Sequence, residues 1–269
     1  MIIQPRDIAL FELLHKYRFA RLGHIRRVVF HVSDEVTRAR LRKLEKAGYI
    51  GSKPFKTVDG SPNIYFLREL AYNHLDDEFR RINLPKPFAL AHTLDLTTIQ
   101  IHIEEWFSDH PTVSLPWIYS ESKMHLVGGR YVRTIHDRYT IGGRVTTVTP
   151  DMAFALEHKG QDTRLLVFVE NDRATESHRQ LRQKFDQYGD YMRRSERFKK
   201  KFNVTFDRFL VLFITTTDKR IAGVQKKHGH HPVFPLLRLT TMKDFEGASD
   251  PAEPIWTRRE GERLGLVKG

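Results

Sequence analysis

The chain has 269 residues, with 45 Lys or Arg against 33 Asp or Glu, a net charge of +12 and 40% hydrophobic residues. That length and apolar content suit one large domain or two small ones, and the cation excess favours a polyanionic partner, most often nucleic acid. The lack of cysteine excludes disulfides, thiolate metal sites and a cysteine nucleophile. No apolar run approaches ~18 residues and Met1–Arg6 has no signal-peptide pattern, so the expectation is a cytoplasmic protein with no membrane partner.

The charge sits in two zones. Residues 1–56 carry 13 Lys/Arg against 5 Asp/Glu, residues 173–201 carry 10 against 4, and the rest is close to neutral.

In the first zone, Pro5 suits the opening turn of a helix bearing Ile8, Phe11, Leu13 and Leu14 at helical spacing. A second helix is expected over Leu22–Phe30. Ser33 is the expected N-cap of a third, Asp34–Ala47, with Asp34 and Glu35 in its first turn and Gly48 at its end. A strand (Tyr49–Phe55), an Asp59-Gly60 turn and a second strand (Ile64–Leu67) complete a hairpin. Helix, helix, basic helix and hairpin is the winged helix-turn-helix pattern. Thr37, Leu41, Leu44 and Gly48 fall on the inner face of the third helix. Arg38, Ala39, Arg40, Arg42, Lys43 and Lys46 are its candidate DNA contacts, with Lys53 and Lys56 on the wing. The competing reading is a solvated helix face, or a winged helix used for protein contact.

Residues 68–87 read as a polar linker closed by Pro85 and Pro87, followed by an amphipathic helix over His92–Asp109 and β-structure over Trp117–Thr149. Two strands with acids at one end come next, Thr149–Leu156 and Leu165–Ser177, joined by the short loop His158–Thr163. A hairpin register of 157 with 164 sets Asp151 opposite Glu170, with Cβ atoms about 4.5–5.5 Å apart. Like charges facing each other destabilise a sheet, so the arrangement asks for a cation between them. Asp172 falls on the same face by alternation. Asp151, Glu170 and Asp172 are therefore the candidate ligands of Mg²⁺ or Mn²⁺, hard cations that take carboxylate oxygen, with no organic cofactor.

A long helix is expected over 174–201, capped by Thr175, with Leu181, Phe185, Tyr188 and Met192 as its apolar stripe. Lys184 lies beside that stripe, and Arg173, Arg179 and Arg182 are further DNA candidates. An apolar strand, Phe209–Thr216, follows. The succession α–β–β–β–α–β with acids on the second and third strands looks like the PD-(D/E)xK nuclease core. The place where such nucleases carry Lys holds Asp172 here, leaving Lys184 to substitute from the helix. Lys226–His231 (KKHGHH) reads as a loop rather than a zinc site, and residues 251–269 as a peripheral tail.

The winged helix, the AHTLDL segment (Ala91–Leu96), Pro150-Asp151 and ENDRATES (Glu170–Ser177), with Lys184 and Tyr188 downstream, resemble the replication-relaxation family. Its members occur on plasmids and other mobile elements and relate to relaxase accessory proteins of the MobC type. The resemblance implies double-stranded DNA as partner, with a relaxase or replication protein as a second candidate and a homodimer left open. The expected fold class is α/β (α+β): a winged helix-turn-helix over 1–70, a linker over 71–90, a restriction-endonuclease-like αβββαβ domain over 91–245 and a tail over 246–269. Three functional readings follow. They are a DNA-binding accessory or regulator whose nuclease-like domain is a scaffold, a metal-dependent nickase using Asp151, Glu170, Asp172 and Lys184, and a protein whose acids are purely structural. In the last reading Asp172 pairs with Arg173 or Arg179, and Glu176 with Arg179.

Overall fold

Pro5 starts helix α1 (Pro5–Tyr17), as its fixed φ and missing N–H favour. In this computed structural model, residues 1–56, 62–75, 84–127, 130–141, 143–202, 205–258 and 262–267 are described. The chain divides into two units, Met1–Ile101 and His102–Gly269, and is of mixed α+β class.

In the first unit, the two-residue strand β1 (Ala20–Arg21) precedes α2, which starts at Leu22 and continues in π-helical form over Arg26–Phe30. Helix α3 (Asp34–Lys46) follows, capped by Ser33 as expected, whose hydroxyl accepts from the Val36 N–H. Gly48 has φ +84°, which lets the chain leave the helix in a conformation that costs glycine nothing. Strands β2 (Ile50–Pro54) and β3 (Asn63–Leu67) pair antiparallel, and β1 adds to β3, giving the order β1-β3-β2. The expected Asp59-Gly60 turn lies outside the described residues. Gly51 faces Phe66 across the ladder, and a Cβ there would meet the Phe66 ring at 2.6 Å. Leu10, Phe11, Leu14, Leu41, Leu44 and Ile50 form the core of the unit.

The expected linker is partly helical. A short helix, α4, spans Glu69–Tyr72, and α5 starts at Pro87 rather than His92, running to Ser108. The proline read as closing a linker is the first residue of the helix.

In the second unit, β4 (Val113–Ser120) is followed by two hairpins, β5 (Met124–Val127) with β6 (Arg130–Arg133) and β7 (Asp137–Ile141) with β8 (Arg144–Val148). Strands β9 (Met152–His158) and β10 (Arg164–Asp172) then pair antiparallel in the expected register, Glu157 with Arg164 through to Met152 with Val169. Helices α6 (His178–Met192) and α7 (Ser195–Phe202) lead to β11 (Arg208–Thr215), which lies parallel to β10. Helix α8 (Asp218–His228) leads to β12 (Leu237–Thr241), parallel to β11, and α9 (Met242–Gly247) follows.

Two corrections concern α6. The long helix expected over 174–201 is two helices, with Ser195 and Glu196 opening the second. Its N-cap is Ser177, not Thr175. Ser177 and Gln180 form a reciprocal capping box, whereas the residue three beyond Thr175 is His178. The buried stripe is Leu181, Phe185, Tyr188 and Tyr191, with Met192 only partly covered.

A third concerns the C-terminus. The segment read as a peripheral tail contributes β13 (Trp256–Thr257) and β14 (Arg263–Leu264) to a seven-stranded sheet, order β14-β13-β12-β11-β10-β9-β4. Trp256 is fully buried against Phe245. Burial of so large an aromatic outweighs the local Pro, Gly and charge content. The stretches Leu166–Val169 of β10 and Val211–Ile214 of β11 are apolar and buried on both faces, Phe168 and Phe213 packing on one of them with Leu181, Phe185 and Tyr188. No helix among the described residues is long and apolar enough to cross a membrane.

Candidate functional site

Two groups of side chains stand out. The first is the outer face of α3. Thr37, Leu41 and Leu44 are buried as the helical spacing requires, which turns Arg38, Arg42, Lys43 and Lys46 outward, all exposed, with Ala39 half-buried beside them. Lys53 on β2 and Lys56 just beyond it are also exposed. Arg38 lies 3.4 Å from Asp34, which also takes Arg26 at 2.7 Å. Such exposed pairs exchange readily with other anions.

Arg40 is a correction. Its guanidinium bonds both carboxylate oxygens of Asp7, which is wholly buried, and its Nη2 donates to the Ile2 carbonyl at 3.1 Å. The Asp7 side-chain hydrogen bond holds the Arg40 guanidinium above its ordinary range, against desolvation. Asp7 also accepts from the Gln4 N–H at 2.8 Å, closing the N-terminal turn of α1. Arg40 is thus a tie between α1 and α3 and is not available to a phosphate.

The second group surrounds the end of the β9–β10 hairpin. Asp151 sits just beyond β9. Its N–H donates to the Val169 carbonyl at 3.1 Å and its Oδ2 accepts from the Asn171 N–H at 2.8 Å, so it extends the hairpin beside Glu170. Glu170 is 1% exposed. One of its oxygens accepts from Lys184 Nζ at 2.7 Å and the other from the Tyr188 hydroxyl. Lys184 also donates to Glu176 at 2.8 Å. The cation that the opposed acids call for is supplied by the chain itself.

Burial pushes the Glu170 carboxyl up to about 7, with Lys184 opposing the shift and Asp151 adding to it. Burial works against the charge of Lys184, yet Glu170, Asp151 and Glu176 together hold its ammonium above the ordinary lysine range. Burial and then the Glu170 charge hold the Tyr188 hydroxyl well above its usual range. The triad is therefore built to keep Lys184 charged and Tyr188 protonated.

Asp172 does not join it. Its Oδ2 accepts from Arg220 Nε at 2.6 Å and its Oδ1 from the Ala174 N–H at 3.0 Å. Arg220 Nη2 reaches on to the Glu176 carbonyl at 2.7 Å, tying α8 to the turn before α6. Neither Arg173 nor Arg179 takes this role: Arg173 is half-buried in the turn and Arg179 is exposed on α6 with Arg182. Among the described residues no group of three His, Asp or Glu is arranged to hold a metal ion. With both Glu170 oxygens and both Asp172 oxygens engaged by protein donors, the three acids do not fit Mg²⁺ or Mn²⁺, which need several free carboxylate oxygens directed at one point.

Sequence reasoning placed Lys184 correctly beside the stripe, and Tyr188, four residues on, shares its side of the helix. Arg220 it missed. That residue lies 48 positions from Asp172, and only the parallel pairing of β10 with β11 brings α8 over the acid.

The model of the replication-relaxation family matches residues 11–206. The chain belongs to the replication-relaxation family. The match spans both units, from α1 through the basic helix, the acidic hairpin and α6–α7. No match was found among curated proteins or among solved structures.

Proposed function

We propose that this replication-relaxation protein is a double-stranded DNA-binding accessory or regulator of replication or mobilisation of a mobile element. In this reading the first unit is a winged helix-turn-helix, and the second a nuclease-like scaffold without cleavage activity. The observation that carries the DNA-binding reading is the outer face of α3, where Arg38, Arg42, Lys43 and Lys46 are all solvent-exposed while the inner face is packed. Arginine and lysine on such a face neutralise phosphates and reach guanine edges. Lys53 and Lys56 would add backbone contacts from the hairpin. The scaffold reading rests on the closed hydrogen bonding of Glu170 and Asp172. A relaxase or a replication protein fits the family's setting as a second partner. The test is duplex affinity of the full chain with Arg38, Arg42 and Lys43 changed to Ala. A drop of about tenfold or more with an unchanged unfolding transition supports the assignment. Unchanged affinity overturns it.

A further inference from the structure

A recess of about 570 Å³ opens between the start of α6 and the end of α8. It is lined by Arg179, Arg182 and Lys227 together with the imidazoles of His178, His228 and His231. No carboxylate lines it. On α6, Arg182 lies one turn from His178 and three residues from Arg179, so it neighbours both. The segment Lys226–His231, read from sequence as a loop, is half helix: α8 runs through His228, so Lys227 and His228 are held rigidly, with His230 beyond the helix end.

The two histidines at its base meet directly, His178 Nδ1 lying 3.1 Å from His228 Nε2. His231 Nε2 lies 2.9 Å from Asp186 Oδ1, the one acid paired to the cluster among the described residues. Arg179, Arg182 and Lys227 have no ion-pair partner among the described residues, and all three are exposed. Cations gathered in a concave site repel one another, and the arrangement is relieved by an anion placed among them.

We propose that this recess binds the terminal phosphate of a nucleic-acid strand. The site is separate from the α3 face and goes beyond the duplex binding assigned to it. A phosphate monoester offers three oxygens and close to two negative charges near neutral pH, enough to take both arginine forks and an imidazole at once. A backbone diester carries one charge and is flanked on both sides, so it enters a recess less readily than a strand end.

The histidines make binding pH-dependent. Burial, then the neighbouring His178, His231, Arg182 and Arg220, hold His228 below the ordinary histidine range. The groups facing it from α6 are His178 and Arg182, from α8 Arg220, and from the segment after α8 His231, itself turned to Asp186. A bound anion offsets that repulsion and draws a proton onto the imidazoles, so phosphate binding strengthens as pH falls toward about 7, where the monoester still carries most of its second charge.

The test uses calorimetric titration of the full chain with a single-stranded oligonucleotide bearing a 5′- or 3′-phosphate or hydroxyl ends, and with inorganic phosphate, at about pH 7 and about pH 8.5, where the terminal monoester keeps most of its second charge. The expected result is a preference of about tenfold or more for one of the phosphorylated strands, larger at the lower pH and competed by inorganic phosphate. The preference disappears in Arg179→Gln, Arg182→Gln, whose exposed positions leave the fold intact. It survives in the Arg38, Arg42, Lys43 to Ala variant, so failure of the recess and failure of the α3 assignment are told apart. Equal binding of all strands by the wild type overturns the proposal. So does an undiminished preference in the arginine variant, and so does inorganic phosphate binding without any strand preference.

Discussion

Lys184 Nζ lies 2.7 Å from Glu170 Oε2, and the carboxylate is buried. This contact joins α6 to the end of β10 and closes the acidic hairpin from within. Both residues were expected to serve chemistry at a metal; in the fold they satisfy each other, with Tyr188 and Glu176 completing the set.

The pH dependence of stability follows from Glu170. Burial raises its folded carboxyl to about 7 from an ordinary 4.5, so between those values the folded state holds a proton that the unfolded chain has lost. Stability therefore falls as pH rises through this window, by about 3 kcal/mol in total. All three tryptophans, Trp106, Trp117 and Trp256, lie in the second unit, so tryptophan fluorescence in a urea series reports on it. Glu170→Gln is expected to flatten the profile between pH 4.5 and 7. A variant that keeps the wild-type slope would assign the dependence to another group.

Lys184→Met removes the cation and leaves Glu170 with Tyr188 alone. Breaking a buried pair from one side costs about 3–5 kcal/mol. The loss is expected to be larger above pH 7, where Glu170 must be charged, than near pH 5, where it is neutral. Equal losses at both pH values would contradict the pairing.

Arg40 and Arg42 are neighbours on α3 with opposite roles. Arg40→Ala strands the buried Asp7 carboxylate and is expected to cost about 3–5 kcal/mol, read as faster amide hydrogen exchange in α1 and α3. Arg42→Ala, at an exposed position, is expected to stay within about 0.5 kcal/mol of wild type while weakening duplex binding. If the two variants were equally stable, the Arg40–Asp7 tie would carry no weight in the fold.

Supercoiled DNA incubated with the protein and Mg²⁺ or Mn²⁺ is expected to remain intact, because Glu170 and Asp172 have their oxygens engaged by Lys184, Tyr188 and Arg220. Nicking that disappears in Asp151→Ala, Glu170→Ala would restore these acids as a metal centre.

Much of this was legible in the sequence because it is local. The Ser33 cap, the Thr37–Leu41–Leu44 stripe, the Gly48 exit and the β9–β10 register depend on neighbours within a few residues or on a short turn. What escaped is what only long-range packing decides. Arg40 flanks the buried Thr37–Leu44 stripe of α3 by spacing, yet nothing nearby shows that Asp7, 33 residues earlier, is the buried partner it meets. Asp172 follows Glu170 by two, yet the crossing of α8 gives it to Arg220. Trp256 lies in a segment of turn-forming composition and is drawn into the sheet edge by Phe245. The histidines of α6 and α8 are 50 residues apart and meet only in the fold.

The central claim, that α3 carries the DNA contacts, is tested most directly by the salt dependence of duplex affinity. Each phosphate neutralised contributes about 0.9 to the slope of log K against log salt. Wild type is expected to give a steep slope, and the Arg38, Arg42, Lys43 to Ala variant a slope lower by about 3. A slope that does not change on removing these three charges would contradict the account.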